Sequence, residues 1–147
     1  MEIRIKTFQE LTSEELYSLL QLRSEVFVVE QNCVYQDIDG KDPNALHIMG
    51  IKKAKIVAYT RCFAPGIYFN EAAIGRVLVS MEQRKFGLGH EIMKASIKAI
   101  KDYYNTTLIK LSAQTYLVSF YESHGFQKVG SEYLEDGIPH ILMSKEN

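Results

Sequence analysis

Apolar and polar residues alternate from the amino end: Ile3, Ile5 and Thr7 against Arg4, Lys6 and Phe8. A period of two predicts a half-buried first strand. The period then lengthens. Leu16, Leu19, Leu20, Arg23, Val26 and Phe27 recur at helical intervals behind Thr12 and Glu15, which have capping-box spacing. A helix is expected from there to about Glu30, with Arg23, Glu25 and Glu30 on its polar side. From Gln31 to Pro43 no period holds and turn formers dominate, so this is a loop of the length that shapes a site.

Leu46 to Ile51 and Ile56 to Phe63 read as two strands joined through Lys52-Lys53-Ala54-Lys55, and Ala64-Pro65-Gly66 breaks the second. Ala72 to Val79 is an apolar strand. After a polar link and a glycine bend, Ile92, Met93, Ile97, Ile100 and Tyr104 form one stripe of a helix ending near Asn105. Thr107 to Ser112 is another strand, parallel to the previous one if the helix is a right-handed crossover. Thr115 to His124 is a short helix stopped by Gly125, and Phe126 to Leu134 and Ile138 to Ser144 form a hairpin through Asp136-Gly137. The order is strand, helix, three strands, helix, strand, helix, two strands: a single α/β domain over residues 1–147, with a mixed central sheet flanked by helices.

At 147 residues the chain suits one domain with its own core. Seventeen lysines and arginines against 18 acidic residues leave no basic field for nucleic acid or an anionic membrane. The amino terminus is charged from Glu2, and no apolar run approaches a membrane span, so a cytoplasmic protein is expected. Cys33 and Cys62 lie far apart with no Cys-x-x-Cys or Cys/His spacing, which reads as two free thiols and no metal site. Asp37, Asp39 and Asp42 suggest a calcium loop, but its sixth and twelfth positions would be Asp42 and Ile48 where Gly and Glu are needed; a solvated acidic loop is expected instead.

The chemistry concentrates at Arg84-Lys85-Phe86-Gly87-Leu88-Gly89, between a strand and a helix. Glycines let backbone approach an anion closely, and the helix start offers unpaired N–H groups and a positive dipole end. The dinucleotide fingerprint fails because Ile92 stands where its third glycine belongs. A P-loop fails because Leu88 and His90 follow the glycines.

What remains, Arg-x-x-Gly-x-Gly, resembles the signature of the GNAT superfamily of CoA-dependent N-acyltransferases. Ala113 to Phe126, a Tyr-bearing short helix ending in Gly-Phe, resembles that family's other signature, with Gln114 where Asn is usual. Leu22 to Asn32, Tyr35 to Gly40 and Glu135 to Ile141 are similar to the ElaA-like branch of the family.

The resemblance implies the GNAT fold and acetyl-CoA as co-substrate. The CoA pyrophosphate would lie on the amides of Phe86, Gly87, Leu88, Gly89 and His90 beside Arg84, and the thioester on the amides of Val77, Leu78 and Val79. It implies Tyr121 as the general acid, with Tyr116 and Tyr133 as tyrosines outside the motif position. His140, in Pro139-His140-Ile141, is the first choice of base, with Glu30 and Glu71 as alternatives; His47, His90 and His124 lack a supporting context. Arg76, Gln114 and Glu30 are candidates for holding the acceptor, Arg76 through a carboxylate or else as part of a buried ion pair. The expected reaction is direct transfer of an acetyl group to the primary amine of a small molecule, without a metal or a cysteine intermediate. A regulatory acyl-CoA-binding module and a protein-lysine acetyltransferase with an acidic peptide groove are the alternatives, and a homodimer is the assembly allowed for.

Overall fold

A computed structural model describes all residues, Met1–Asn147. Seven strands form one sheet: β1 (Glu2–Thr7), β2 (Leu46–Lys52), β3 (Lys55–Phe63), β4 (Ala72–Val79), β5 (Ile109–Gln114), β6 (Gln127–Glu135) and β7 (Ile138–Lys145), in the spatial order β1-β2-β3-β4-β5-β7-β6. All neighbours are antiparallel except β4 and β5, which are parallel. Helix α1 (Ser13–Arg23) packs on one face, α2 (Leu88–Tyr104) on the other, and α3 (Val118–Glu122) follows β5.

Local chemistry fixes these elements where the sequence places them. Thr12 accepts from the Glu15 amide and the Glu15 carboxylate accepts from the Thr12 amide, closing the capping box of α1. The expected helix does run on to Glu30, but Ser24–Glu30 widens into a π-helical turn, a feature common near functional sites. The β6–β7 turn places Asp136 and Gly137 at φ 51° and 77°, the left-handed pair that a two-residue hairpin requires.

The strands alternate as their pattern predicts, and both faces are covered. Ile48, Ile74, Leu111 and Met143 join Ile92, Met93 and Ile100 of α2 in the larger core. Met49, Tyr59 and Leu78 point the other way, onto Leu19, Leu22, Val26 and Phe27.

The acidic loop departs from expectation: it is stapled down, not solvated. Asp37 and Asp42 are buried, held by arginines that converge from three elements. Fully buried Arg23 binds Asp37 at 2.9 Å and Asp42 at 2.7 Å; Arg61 of β3 binds Asp39 and Asp42; Arg76 of β4 binds Asp37 at 2.7 Å. Charges taken out of water need this pairing. Burial opposes ionisation of Asp39, but the hydrogen bonds of Arg61 hold it well below the usual carboxylate range.

Candidate active site

The site starts from a failure of pairing. Strands β4 and β5 meet only at Ala72 with Ile109 and Ala73 with Lys110, then part. On the other side of β4 the register steps: Tyr59 faces Leu78 and Arg61 faces Gly75, so the single residue Thr60 opposes two, Arg76 and Val77. This bulge holds Arg76 at φ 50°, a strained position for a side chain with a β-carbon. Such a bulge twists its strand and re-aims the residues beyond it. Amides on the β5-facing edge of β4 past Ala73 therefore lack a strand partner and face a gap.

The gap opens into a cleft whose empty space, mouth included, is about 950 Å³. Gly75, Arg76 and Val77 line it from β4, Ser112 and Gln114 from β5, with Tyr121 and His140 beyond. The Leu78 side chain is buried in the α1-side core, Val79 is in register with Ala58 of β3, and of the three residues whose amides are expected at the thioester Val77 lines the cleft.

Along β5, residues Ile109, Leu111 and Ala113 join the α2-side core, so Lys110, Ser112 and Gln114 share the opposite face. Gln114 is in register with His140 of β7, and His140 with Tyr133 of β6, which makes one row across three strands. The Tyr133 hydroxyl is hydrogen-bonded to Ser112. The Gln114 amide donates to Gln31 at 3.3 Å, linking the row to the end of the π-helical turn.

His140 is buried, and its Nδ1 lies 2.7 Å from the carbonyl oxygen of Ile138. A carbonyl only accepts, so Nδ1 carries the hydrogen and Nε2 keeps its lone pair in the neutral ring. Glu135 is 3.4 Å from that Nε2. Tyr121 is 5% exposed and packs edge-on against Phe120 and Phe126. Burial raises its pKa, so its hydroxyl stays protonated.

At the other end of β4, Met81–Phe86 forms a tight turn, Gly87 takes φ 72°, and α2 starts at Leu88. Only glycine adopts that angle without strain. No side chain caps α2, so the amides of its first turn have no acceptor within the helix. Gly89 lies against α3, where a β-carbon would make ordinary contact with the Phe120 ring at 3.4 Å. These groups fit a diphosphate. Phe86 is exposed, with the Lys52 ammonium 4.5 Å from its ring centre. His90 and His124 are hydrogen-bonded to each other at 2.9 Å. Arg84 is engaged by Glu30, which lies outside the cleft.

The remaining candidates divide cleanly. His47 is buried, with Nε2 donating to the Asp42 carbonyl and Nδ1 accepting from the Tyr59 hydroxyl, a structural role. Tyr116 is exposed away from the cleft lining, and Glu71 does not line it. Cys62 is fully buried, and burial pushes its thiol up to about 12, which removes it as a nucleophile. Arg76 lines the cleft but spends its Nε and one Nη on Asp37, the ion-pair alternative. Asp37, Asp39 and Asp42, the loop considered for an acidic peptide groove, are paired with Arg23, Arg61 and Arg76.

Sequence reasoning named Cys33 only as a free thiol, whereas its thiol donates to the Asp136 carbonyl in the cleft wall, and it missed the aromatic wall of Phe63, Tyr68 and Phe69. Phe63 reads only as the end of a strand, and Tyr68 and Phe69 sit after a Pro-Gly break with no periodicity to point at them. Glu135 and Asp136 were legible only as a turn.

Two parallel strands parting at a bulge, a glycine turn feeding a helix start, and a buried tyrosine and histidine on one cleft define an acyltransferase that takes its acyl group from CoA. The chain belongs to the GNAT acetyltransferase family: the family model described as acetyltransferase (GNAT) domain matches residues 8–147. It is 44% identical over 139 residues to the protein ElaA of Escherichia coli K12, covering 93% of this chain and 91% of that one. The crystal structure of Escherichia coli ElaA superposes with a TM-score of 0.90 at 41% identity, covering 99% of this chain and 100% of the other. That of an acyl-CoA N-acyltransferase from Pseudomonas aeruginosa gives 0.93 at 41% identity, covering 99% of both. The chain is thus a single-domain enzyme of the GNAT N-acetyltransferase type, and no helix in it is long and apolar enough to cross a membrane.

Proposed function

We propose that this enzyme moves an acetyl group from acetyl-CoA to the primary amine of a small molecule by direct attack, with both substrates bound together. The observation that carries the reading is that Tyr121 and His140 line one cleft around the gap between β4 and β5, so a proton donor and a proton acceptor face the same space. The amides of Phe86 to His90 hold the diphosphate through the helix start, and the edge of β4 at Val77 to Val79, where it has parted from β5, offers N–H groups to the acetyl oxygen.

At neutral pH only about one alkylamine in a thousand is unprotonated, so the amine must lose a proton near its site. His140 takes it at Nε2, while Ile138 holds Nδ1–H and Glu135 balances the charge formed. The amine nitrogen attacks the thioester carbon, the C–N bond forms, and the C–S bond breaks. Tyr121 gives its hydroxyl proton to the departing sulfur as charge builds there, and the second proton that the nitrogen sheds as it becomes an amide restores the phenol.

The test is release of free thiol from acetyl-CoA across a broad amine panel, for wild type, Tyr121→Phe and His140→Ala. Turnover that both variants depress supports the reading. Tight acetyl-CoA binding with no thiol release on any amine overturns it in favour of a binding module.

A further inference from the structure

Charges inside the cleft, and two lysines that stand against its aromatic wall without lining it, name the kind of acceptor. Arg61 and Arg76, its two arginines, are spent on Asp37, Asp39 and Asp42. What remains is separated by sign. Glu135 and Asp136 stand at the end of the cleft that holds His140. Two ammonium groups stand against the aromatic wall: the Lys41 Nζ is 4.6 Å from the Tyr68 ring centre and the Lys110 Nζ 5.5 Å from that of Phe69. Neither lysine has a carboxylate partner, although eight other basic groups in the chain do.

Between the two ends lies apolar surface. Phe63 and Tyr68 stack with centres 5.5 Å apart, and Phe69 meets Tyr68 edge-on at 5.0 Å. The spacing comes from β5. Lys110 and Gln114 share one face, and Gln114 is level with His140, so the lysine row and the histidine row are four residues, roughly 13 Å, apart along the strand. Such a separation suits charges at opposite ends of a molecule and excludes both on one carbon.

We propose that the acceptor is an ω-amino acid: a primary amine at the His140 end, an apolar or aromatic body on Phe63, Tyr68 and Phe69, and a carboxylate received by Lys110 and Lys41. This rests on the reading of the cleft as an amine acyltransferase site and specifies its substrate class. Lys110 and Lys41 are then specificity determinants, acting on the far end of the acceptor and not on the reacting atoms.

The test compares amines that differ only in the acid: 4-(aminomethyl)benzoate with benzylamine, and 6-aminohexanoate with hexylamine. Steady-state rates with acetyl-CoA are read beside calorimetric binding of the same four amines to the CoA-loaded protein. Wild type, Lys110→Met and the Lys41→Met/Lys110→Met double variant are compared, with Lys101→Met on the exposed side of α2 as control. The acid of each pair should be preferred about tenfold or more, mainly through KM, as one desolvated charge-assisted contact provides. Lys110→Met should cut that preference, the double variant should abolish it, and Lys101→Met should keep it. Acids no better than their parent amines, or a preference that survives the double variant, overturn the proposal. Should no amine be acetylated, the acyl-transfer reading fails, and the calorimetry still decides this one: lysine-dependent binding of the acids upholds the subsite, its absence removes it.

Discussion

Glu30 and Arg84, 54 residues apart, meet as a bidentate ion pair: the two Nη atoms lie 2.6 and 2.7 Å from the two carboxylate oxygens, and the arginine Nε donates to the Val79 carbonyl. The arginine of the phosphate loop is therefore held by the last residue of the π-helical turn. A carboxylate and a diphosphate compete for the same planar fork of donors. Removing the competitor should help the phosphate. Glu30→Gln is expected to tighten CoA binding a few-fold, and Arg84→Ala to weaken it about tenfold or more, both by titration calorimetry. If Glu30→Gln weakens CoA as much as Arg84→Ala does, the pair works as one positioned unit and the arginine keeps its carboxylate when CoA binds.

Tyr121→Phe removes a hydroxyl and leaves the ring that packs against Phe120 and Phe126. If the hydroxyl protonates the leaving sulfur, kcat should fall about 100-fold, with CoA affinity and thermal midpoint nearly unchanged. A rate within twofold of wild type would transfer the role to another group, of which Tyr133 beside Ser112 has a hydroxyl on the cleft side of the sheet.

The fold was legible because its signals are local and periodic. The Thr12/Glu15 box, the α2 stripe and the Asp136-Gly137 turn each act within a few residues, and each stands where the pattern puts it. The glycine turn ahead of α2 was legible for the same reason. What the sequence hid is long-range pairing. Nothing local couples Asp37 to Arg23, Arg61 and Arg76, so a buried six-membered charge network reads as a polar loop until the strands bring the arginines under it. The bulge at Arg76 is equally silent: its sequence alternates like any strand, and only the register with β3 shows two residues facing one. The committed partner of Arg84 and the lysines over the aromatic wall likewise emerge only from tertiary contact.

That charge network makes a strong prediction. Arg23 is fully buried and satisfies Asp37 and Asp42 at once. Arg23→Met keeps the volume and leaves both carboxylates short of a partner in a buried setting, so stability should drop by about 3–5 kcal/mol in denaturant unfolding. The 31–43 loop would loosen first, read as faster amide exchange there. A loss below about 1 kcal/mol would mean that Arg61 and Arg76 suffice to hold the loop.

His47 supplies a pH dependence whose direction follows from its two hydrogen bonds. Burial, set against the Asp42 carbonyl contact and reinforced by Arg23 and Arg61, lowers its pKa. The ring is held neutral between the Tyr59 hydroxyl and the Asp42 carbonyl. An unfolded chain takes up a proton near pH ~6.5, and the folded chain resists it. Above that pH both states are neutral at this residue and it contributes no slope. As pH falls through it the unfolded state gains a proton first, so stability is lost, and the loss is complete below the folded pKa. The paired carboxylates, Asp39 among them, respond only at lower pH, because their unfolded values lie near ~4. His124 is also lowered, by partial burial and by His90, Lys94 and Lys145, so it must be controlled. Unfolding midpoints between pH 5 and 7.5 should therefore decline toward acid in wild type and in His124→Gln, the latter slightly less steeply, and run flatter in His47→Gln on a lower baseline. An unchanged slope in His47→Gln would show that the buried imidazole takes its proton without unfolding the chain around it.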